Sequence, residues 1–253
     1  MGELKDKASR YAKAFGGASQ LSDIAGRKRK AEKIRAVLRE ERMLQRPGLS
    51  ILDIGCSFGI ILRELTRDDG LGIGIDVDEN LGPNSGNVYF LRADAECLPI
   101  AASSVDVVLC NHVYEHTDAP KSMLAEIHRV LKEDGLCYFA GPNKYDLIEP
   151  HYSLPFLSWL PRRIADRYVR LAGKGESYAE KPYSHAAIRA LLADFAITDY
   201  TERIIRDPER YAAADMLPPR SLKRLIALAV LRFLPALFPG FVYVLRKHAA
   251  CIH

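Results

Sequence analysis

Two acids and two glycines stand at a spacing that suits a small ligand. The segment Asp53-Ile54-Gly55-Cys56-Ser57-Phe58-Gly59 leads out of an apolar run and into a helical pattern. A strand, a glycine-bearing turn and a helix in that order let a ligand approach the backbone beside a helix N-terminus. A Cβ at such a turn would clash or forbid the backbone angle. Many βα turns carry two glycines with nothing bound, so the turn alone decides little. Asp76 adds more, because it ends the next run, Gly72-Ile73-Gly74-Ile75-Asp76-Val77. A carboxylate there can accept both hydroxyls of a ribose lying over the first turn. Asp94-Ala95 follows a third run, where an acid can reach the exocyclic amine of an adenine. Cys110-Asn111-His112 leaves a fourth run with polar groups at its end. In open α/β sheets ligands collect at the carboxyl ends of strands, so four consecutive strand ends offer one nucleoside site.

The elements that must hold these residues alternate along the chain. Strands are expected over 50–54, 71–75, 88–91, 105–110 and 136–140, and helices over 60–66 and 119–131. Such alternation implies βαβ crossovers and a mostly parallel, doubly wound sheet covered on both faces. An N-terminal helical segment fills residues 1–47, with apolar residues at helical spacing from about 22 to 45 until Pro47-Gly48 stops it. The remaining domain, 48–253, carries two insertions. The first, at about 146–180, holds Pro150, Pro155 and Pro161 among aromatics, and Tyr152, Phe156 and Trp159 suit the wall of an apolar acceptor pocket. Ser184 then offers an N-cap, and 195–205 reads as a strand. The second insertion, 207–239, holds a helix apolar nearly all round, with Leu222, Leu225, Ile226, Leu228 and Phe233, before a last strand over 241–245. With Arg220, Lys223, Arg224 and Arg232 beside it, residues 220–239 suit either a packed helix or peripheral contact with an anionic membrane surface.

Composition narrows the class. A hydrophobic share of 48% with 27% charged residues excludes a disordered or fibrous chain. The net charge of +4 is too mild to argue for nucleic acid, and the basic run from Arg27 to Arg46 is interleaved with Glu32, Glu40 and Glu41, as on a solvated helix face. The five cysteines form no CxxC pair, which fits a reducing, cytoplasmic setting better than disulfides or zinc. The first residues lack the apolar core of a signal peptide, and Asp6 stands where a myristoylation motif wants Ser or Thr.

The segments "ILDIGCSFGIILREL", "GIGIDVDEN", "RADAECLPIAASSVDVVLCNHVYEHTDAP" and "LAEIHRVLKEDGLCYFAGPN" together resemble the successive motifs of class I methyltransferases, closest to the ubiquinone/menaquinone-biosynthesis type, over residues 48–143. The family pattern has glycine where Ser57 stands. The resemblance implies a seven-stranded sheet with its last strand antiparallel, and S-adenosylmethionine as cofactor. It implies that Asp53 holds the ammonium of the amino-acid end, and that Gly55, Cys56 and Gly59 let the backbone pass close to the ligand. Asp76 would bind the ribose, Val77 would pack on the adenine, Asp94 and Ala95 would flank the adenine edge, and Asn111 would line the methionine side. A dinucleotide is the rival ligand, but its fingerprint is G-x-G-x-x-G, and an acid at 53 suits an ammonium better than a pyrophosphate.

Methyl transfer from a sulfonium needs alignment above all, and a base only when the acceptor must lose a proton. His112 and His116 are the catalytic candidates, with Glu115 between them, although Glu115-His116 also reads as a cap for the helix that follows. In the ubiquinone-type enzymes the matching segment presents an acid and then Glu-His as a divalent-metal site. Here His112 takes the first place, and no metal is expected. The function expected is O- or C-methylation of a small-molecule or lipid-type acceptor. The alternative is a protein that binds S-adenosylmethionine without turning it over.

Overall fold

The computed structural model describes residues 23–248, so the first part of the expected N-terminal helical segment and Cys251 lie outside the described residues. Helix α1 (Ile24–Glu40) starts where Asp23 Oδ1 accepts from the Gly26 amide at 2.7 Å. Ala31, Ile34, Val37 and Leu38 recur on one face and are buried against Ile51, Leu62, Leu109 and Tyr138. That face makes α1 part of the sheet's core. Its basic face is solvated and paired, with Lys28 3.2 Å from Glu64 and Arg29 2.9 Å from Asp215.

Five parallel strands follow: β1 (Ser50–Ile54), β2 (Leu71–Asp76), β3 (Val88–Arg92), β4 (Val105–Asn111) and β5 (Leu131–Pro142). Every residue of β1 is buried, and in β4 all but Asn111, so both carry apolar residues on both faces rather than in alternation, with Ser50, Asp53 and Asp106 as the buried polar exceptions near their ends. Helix α2 (Ile60–Leu65) joins β1 to β2, and α3 (Pro120–Val130) joins β4 to β5. Met123, Leu124, Ile127 and Val130 of α3 cover the face opposite α1.

Beyond β5 the chain leaves the sheet. A two-stranded ladder, β6 (Ile148–Glu149) with β7 (Leu154–Pro155), and helix α4 (Arg162–Leu171) enclose a small core of Tyr152, Leu154, Leu157, Ala165, Val169 and Tyr178. Tyr152 therefore faces inward, and its hydroxyl donates to Ser177 O at 3.2 Å. It is not available to the acceptor wall expected of it, while Phe156 is half exposed and sets its ring edge-on to Trp159. Helix α5 (His185–Leu191) starts on Ser184, whose hydroxyl accepts from the Ala187 amide. Strand β8 is shorter than expected, Phe195–Asp199, because Asp199 Oδ1 accepts from the Thr201 amide at 2.9 Å and turns the chain into α6 (Thr201–Arg206). Helix α7 (Leu222–Phe233) precedes β9 (Gly240–Lys247).

The seven strands lie in the order β3-β2-β1-β4-β5-β9-β8, with β9 antiparallel to both neighbours. The expected doubly wound sheet with an antiparallel last strand is the fold observed. Among the described residues no helix is long and apolar enough to cross a membrane.

At the amino ends of the strands, Asp106 is buried and fully paired. Its Oδ2 accepts from the Ser50 amide at 2.9 Å, the Ser50 hydroxyl at 2.6 Å and Lys132 Nζ at 2.9 Å. Burial opposes ionisation there, but the Ser50 and Lys132 donors outweigh it and hold the carboxyl below its ordinary value. A lowered carboxylate pKa contributes stability above the unfolded value and loses it as the pH falls through the folded one. Asp106→Ala orphans the Ser50 amide and is expected to cost about 1–3 kcal/mol in urea unfolding at pH 7. The difference from the native chain should shrink as the pH drops below about 4. An equal difference at both pH values would remove Asp106 from that role.

Candidate functional site

Register brings the strand ends level. Ile54 pairs with Ile75 of β2 and Cys110 of β4, and Asp76 pairs with Arg92 of β3. The turn 55–59, Asp76, Asp94 and Asn111 therefore meet at the carboxyl edge of four adjacent strands. The turn folds back over β2, with the Gly55 and Cys56 amides donating to Ile75 O at 2.8 and 3.2 Å. Gly55 and Gly59 each sit at φ +71°, and a Cβ on Gly55 would stand 2.7 Å from Val113 Cγ2. At Gly59 and Gly74 the missing side chains leave room for the Phe90 ring, which lies under the Arg63 guanidinium at 5.0 Å. Ser57 is also left-handed, at φ +50°, a conformation glycine adopts without strain. Its amide donates to Asp76 Oδ2 at 2.8 Å, a charge-assisted bond that holds the strained residue in place.

The two acids are desolvated. Asp53 is 5% exposed, and burial first, then the neighbouring Asp76, push its carboxyl up to about 7 against the pull of Arg27 on α1. Asp76 is raised by burial as well, although it accepts from the amides of Ser57 and Asp78. Val77 follows it half-buried. Asp94 Oδ1 accepts from the Glu96 amide at 3.0 Å, and Ala95 is buried beside it. Cys56 is buried under the turn, and Asn111 ends β4 half-buried.

Past β4 the chain turns sharply. His112 has φ +58° and an exposed ring whose Nδ1 is 3.4 Å from Glu115 Oε1. Glu115 is wholly buried; burial pushes its carboxyl up, but His112 and His116 beside it prevail and hold it below the usual range. His116 approaches Glu115 at 3.9 Å and sets its ring edge-on to His151, with centroids 5.3 Å apart. Burial drives its imidazole down to about 4, so it is neutral at pH 7. The structure thus separates the two histidines, His112 toward solvent and His116 toward the first insertion. Glu115-His116 does not cap α3. No side chain caps its first turn; Glu96 holds the approach to it, its Oε1 accepting from the Asp118 and Ala119 amides at 3.0 and 2.9 Å. Glu96 and Arg27 are additions that sequence reasoning missed. Glu96 carried a weak signal, an acid ahead of a proline-started helix; Arg27 carried none, since only the packing of α1 brings it near Asp53.

Residues 52–139 match a family model described as a methyltransferase domain. A protein of Streptomyces fradiae, an uncharacterized 37.1 kDa protein in a transposon, is 27% identical over 196 residues, covering 71% of this chain and 57% of that one. A ubiquinone biosynthesis O-methyltransferase of Hahella chejuensis is 35% identical over 107 residues, covering 39% of this chain and 45% of its own. The chain thus spans about half the length of these curated relatives. Among solved structures, the plantazolicin methyltransferase BpumL, in complex with a monoazolic desmethylPZN analogue and S-adenosylhomocysteine, superposes with a TM-score of 0.54 at 18% identity, over 98% of both chains. The likeness to BpumL is one of fold. Residues 52–139 thus match a methyltransferase domain, and the strand order is that of the class I S-adenosylmethionine-dependent methyltransferase fold.

Proposed function

We propose that the protein transfers the methyl group of S-adenosylmethionine to an oxygen or carbon of a lipid-type or small apolar acceptor. The observation that carries the cofactor half of this reading is the pair of desolvated carboxylates, Asp53 buried and Asp76 half-buried, at adjacent strand ends. Asp53 ionises reluctantly without a cation beside it, and an ammonium supplies one. Asp76 keeps lone pairs for two ribose hydroxyls beyond the amides it already accepts. Val77, Asp94 and Ala95 fit the adenine, Asn111 the methionine chain, and Gly55, Cys56 and Gly59 the close backbone passage. When bound, S-adenosylmethionine supplies a methyl carbon on sulfonium, open to in-line attack. The chain's part is to orient the acceptor and exclude water. An oxygen acceptor must also lose its proton. His112, at the edge of the site, and His116, held neutral behind it, are the groups to take it. A relative that is a ubiquinone biosynthesis O-methyltransferase favours oxygen.

The lipid half of the reading rests on α7. None of its residues is buried in the described chain, with Leu222 71% and Phe233 76% exposed and Leu225 and Ile226 also exposed. It carries Lys223, Arg224 and Arg232 and no acid. An apolar helix with only basic charges suits an anionic bilayer surface, from which a lipid acceptor would be taken. The residues just after it reach the catalytic edge, since Asn143 Nδ2, past the end of β5, donates to Ala236 O and Phe238 O at 2.8 and 2.9 Å.

Three measurements test this reading. Asp76→Ala should weaken S-adenosylhomocysteine binding by about one to two decades in calorimetric titration with the fold intact. Unchanged affinity would remove Asp76 from the site. Binding an ammonium at Asp53 should release a proton, so affinity should rise up to about tenfold per unit as the pH climbs toward 7 and level off above it. A flat profile would contradict the Asp53 assignment. Finally, the protein should co-sediment with anionic vesicles at low salt, less at high salt, and not after Leu225→Glu plus Phe233→Glu. No binding at low salt, or a stable dimer that hides α7, would overturn membrane contact. A cofactor-binding protein without turnover would bind S-adenosylmethionine yet release no S-adenosylhomocysteine with any acceptor offered.

A further inference from the structure

The first insertion buries more negative charge than it pairs. Glu149, ending β6, is 3% exposed, and Glu180, beyond α4, is 2% exposed. Glu149 is fixed from behind, its Oε2 accepting from the His151 and Tyr152 amides at 2.8 and 2.7 Å, while its Oε1 meets His151 Nδ1 at 2.8 Å. Glu180 has no such support. Neither of its carboxylate oxygens has a hydrogen-bond partner, and no ion pair of the described residues reaches it. Arg162 donates to the backbone carbonyl of Glu180 at 3.4 Å rather than to its carboxylate, and neither Lys144 nor Lys181, which line the same cleft, forms an ion pair with it among the described residues. One ligand atom from each of Glu149, His151 and Glu180 lies within 4.8 Å of the other two.

Buried carboxylates are paired, protonated or bound to metal. Here two of them converge on one imidazole, and the more deeply enclosed one points at the other donors with nothing to accept from. We propose that Glu149, His151 and Glu180 form a site for one divalent first-row transition-metal ion of the zinc class, which clips the two ends of the insertion together. Carboxylate and imidazole donors bind such an ion at about 2.0–2.2 Å, which sets donors about 3.3 Å apart in a tetrahedron. The imidazole selects against magnesium and calcium, which prefer oxygen alone. The Glu149 amide bonds are the outer support that a ligating carboxylate requires. A cleft lined by Ser158, Tyr178 and Glu180, with Lys144, Arg162 and Lys181 also on its wall, adjoins the cluster on the Glu180 side, and the Ser158 and Tyr178 hydroxyls are themselves buried without partners. All three protein ligands lie outside the matched domain at 52–139, so the site belongs to the insertion. A metal there fixes His151, and through its ring contact His116, relative to the end of β4.

The test uses the full chain, stripped with a chelator and titrated with zinc against a chromophoric competitor. One ion per chain is expected, with Kd below about 1 μM, and magnesium should not compete. Glu180→Gln keeps the shape and removes the charge, and should weaken zinc at least about a hundredfold. Its S-adenosylhomocysteine affinity, unchanged, shows that it folds and separates this test from that of the proposed activity. Without metal its melting temperature should equal or exceed the native chain's, since an unpaired buried carboxylate is gone. With zinc the native chain should rise and the variant should not. Equal zinc binding, or an equal rise, in both proteins would overturn the proposal. So would loss of zinc in His116→Phe with retention in Glu180→Gln, which would put the ion between Glu115, His116 and His151.

Discussion

A parallel sheet covered on both faces has no room for polar side chains except where its strands end. In this chain that constraint decides where chemistry can occur. The two edges answer it differently. At the amino edge Asp106 is matched by three donors and is held ionised. At the carboxyl edge Asp53 is buried beside a second acid and is driven up to about 7. The first arrangement stabilises the fold. The second costs stability until a cation arrives, and a site that is unfavourable when empty is one that a ligand can complete. The left-handed Ser57 belongs to the same economy, since its strain is held by the amide bond it gives to Asp76.

The elements outside the sheet give this chain its particular character. The first insertion carries its own core and its own cluster of acids and imidazoles, and reaches the segment after β4 through the contact of His151 with His116. The second returns to the sheet through Asn143 and His185, whose Nε2 is 3.0 Å from Phe238 O, and leaves α7 without a buried face. One insertion thus adds a small core of its own and the other an apolar, basic surface. The proposed acceptor chemistry follows from their combination rather than from the sheet, which the fold shares with BpumL.

What the sequence makes legible is whatever depends on local order. The runs 50–54, 71–75 and 105–110 are legible as strands because parallel strands covered on both faces are mostly apolar, and Ser184 is legible as a cap because its hydroxyl needs only the amide three residues on. Interactions between distant segments are not legible in that way. Glu96 holds the segment just ahead of a helix that begins at Pro120, and Arg27 approaches Asp53 only because α1 lies across the sheet. Glu149, His151 and Glu180 show no ligand spacing along the chain, since 29 positions separate the last two and the insertion's own folding brings them together. Tyr152 misled for the same reason: its place in a proline-rich aromatic stretch suggested a pocket wall, and its partner Tyr178 lies inside. The strand expected to run on past Asp199 stops because a single side-chain oxygen captures the next turn.

The central claim is that the carboxyl edge of β1 and β2 is a cofactor site built around two desolvated acids. A crystal structure of the protein grown with S-adenosylhomocysteine tests it most directly. The account predicts the ligand's ammonium within hydrogen-bond reach of Asp53, its ribose hydroxyls on Asp76 and its adenine between Val77 and Ala95. A ligand bound elsewhere, or ribose hydroxyls turned to solvent with Asp76 still closed on Ser57 alone, would contradict it.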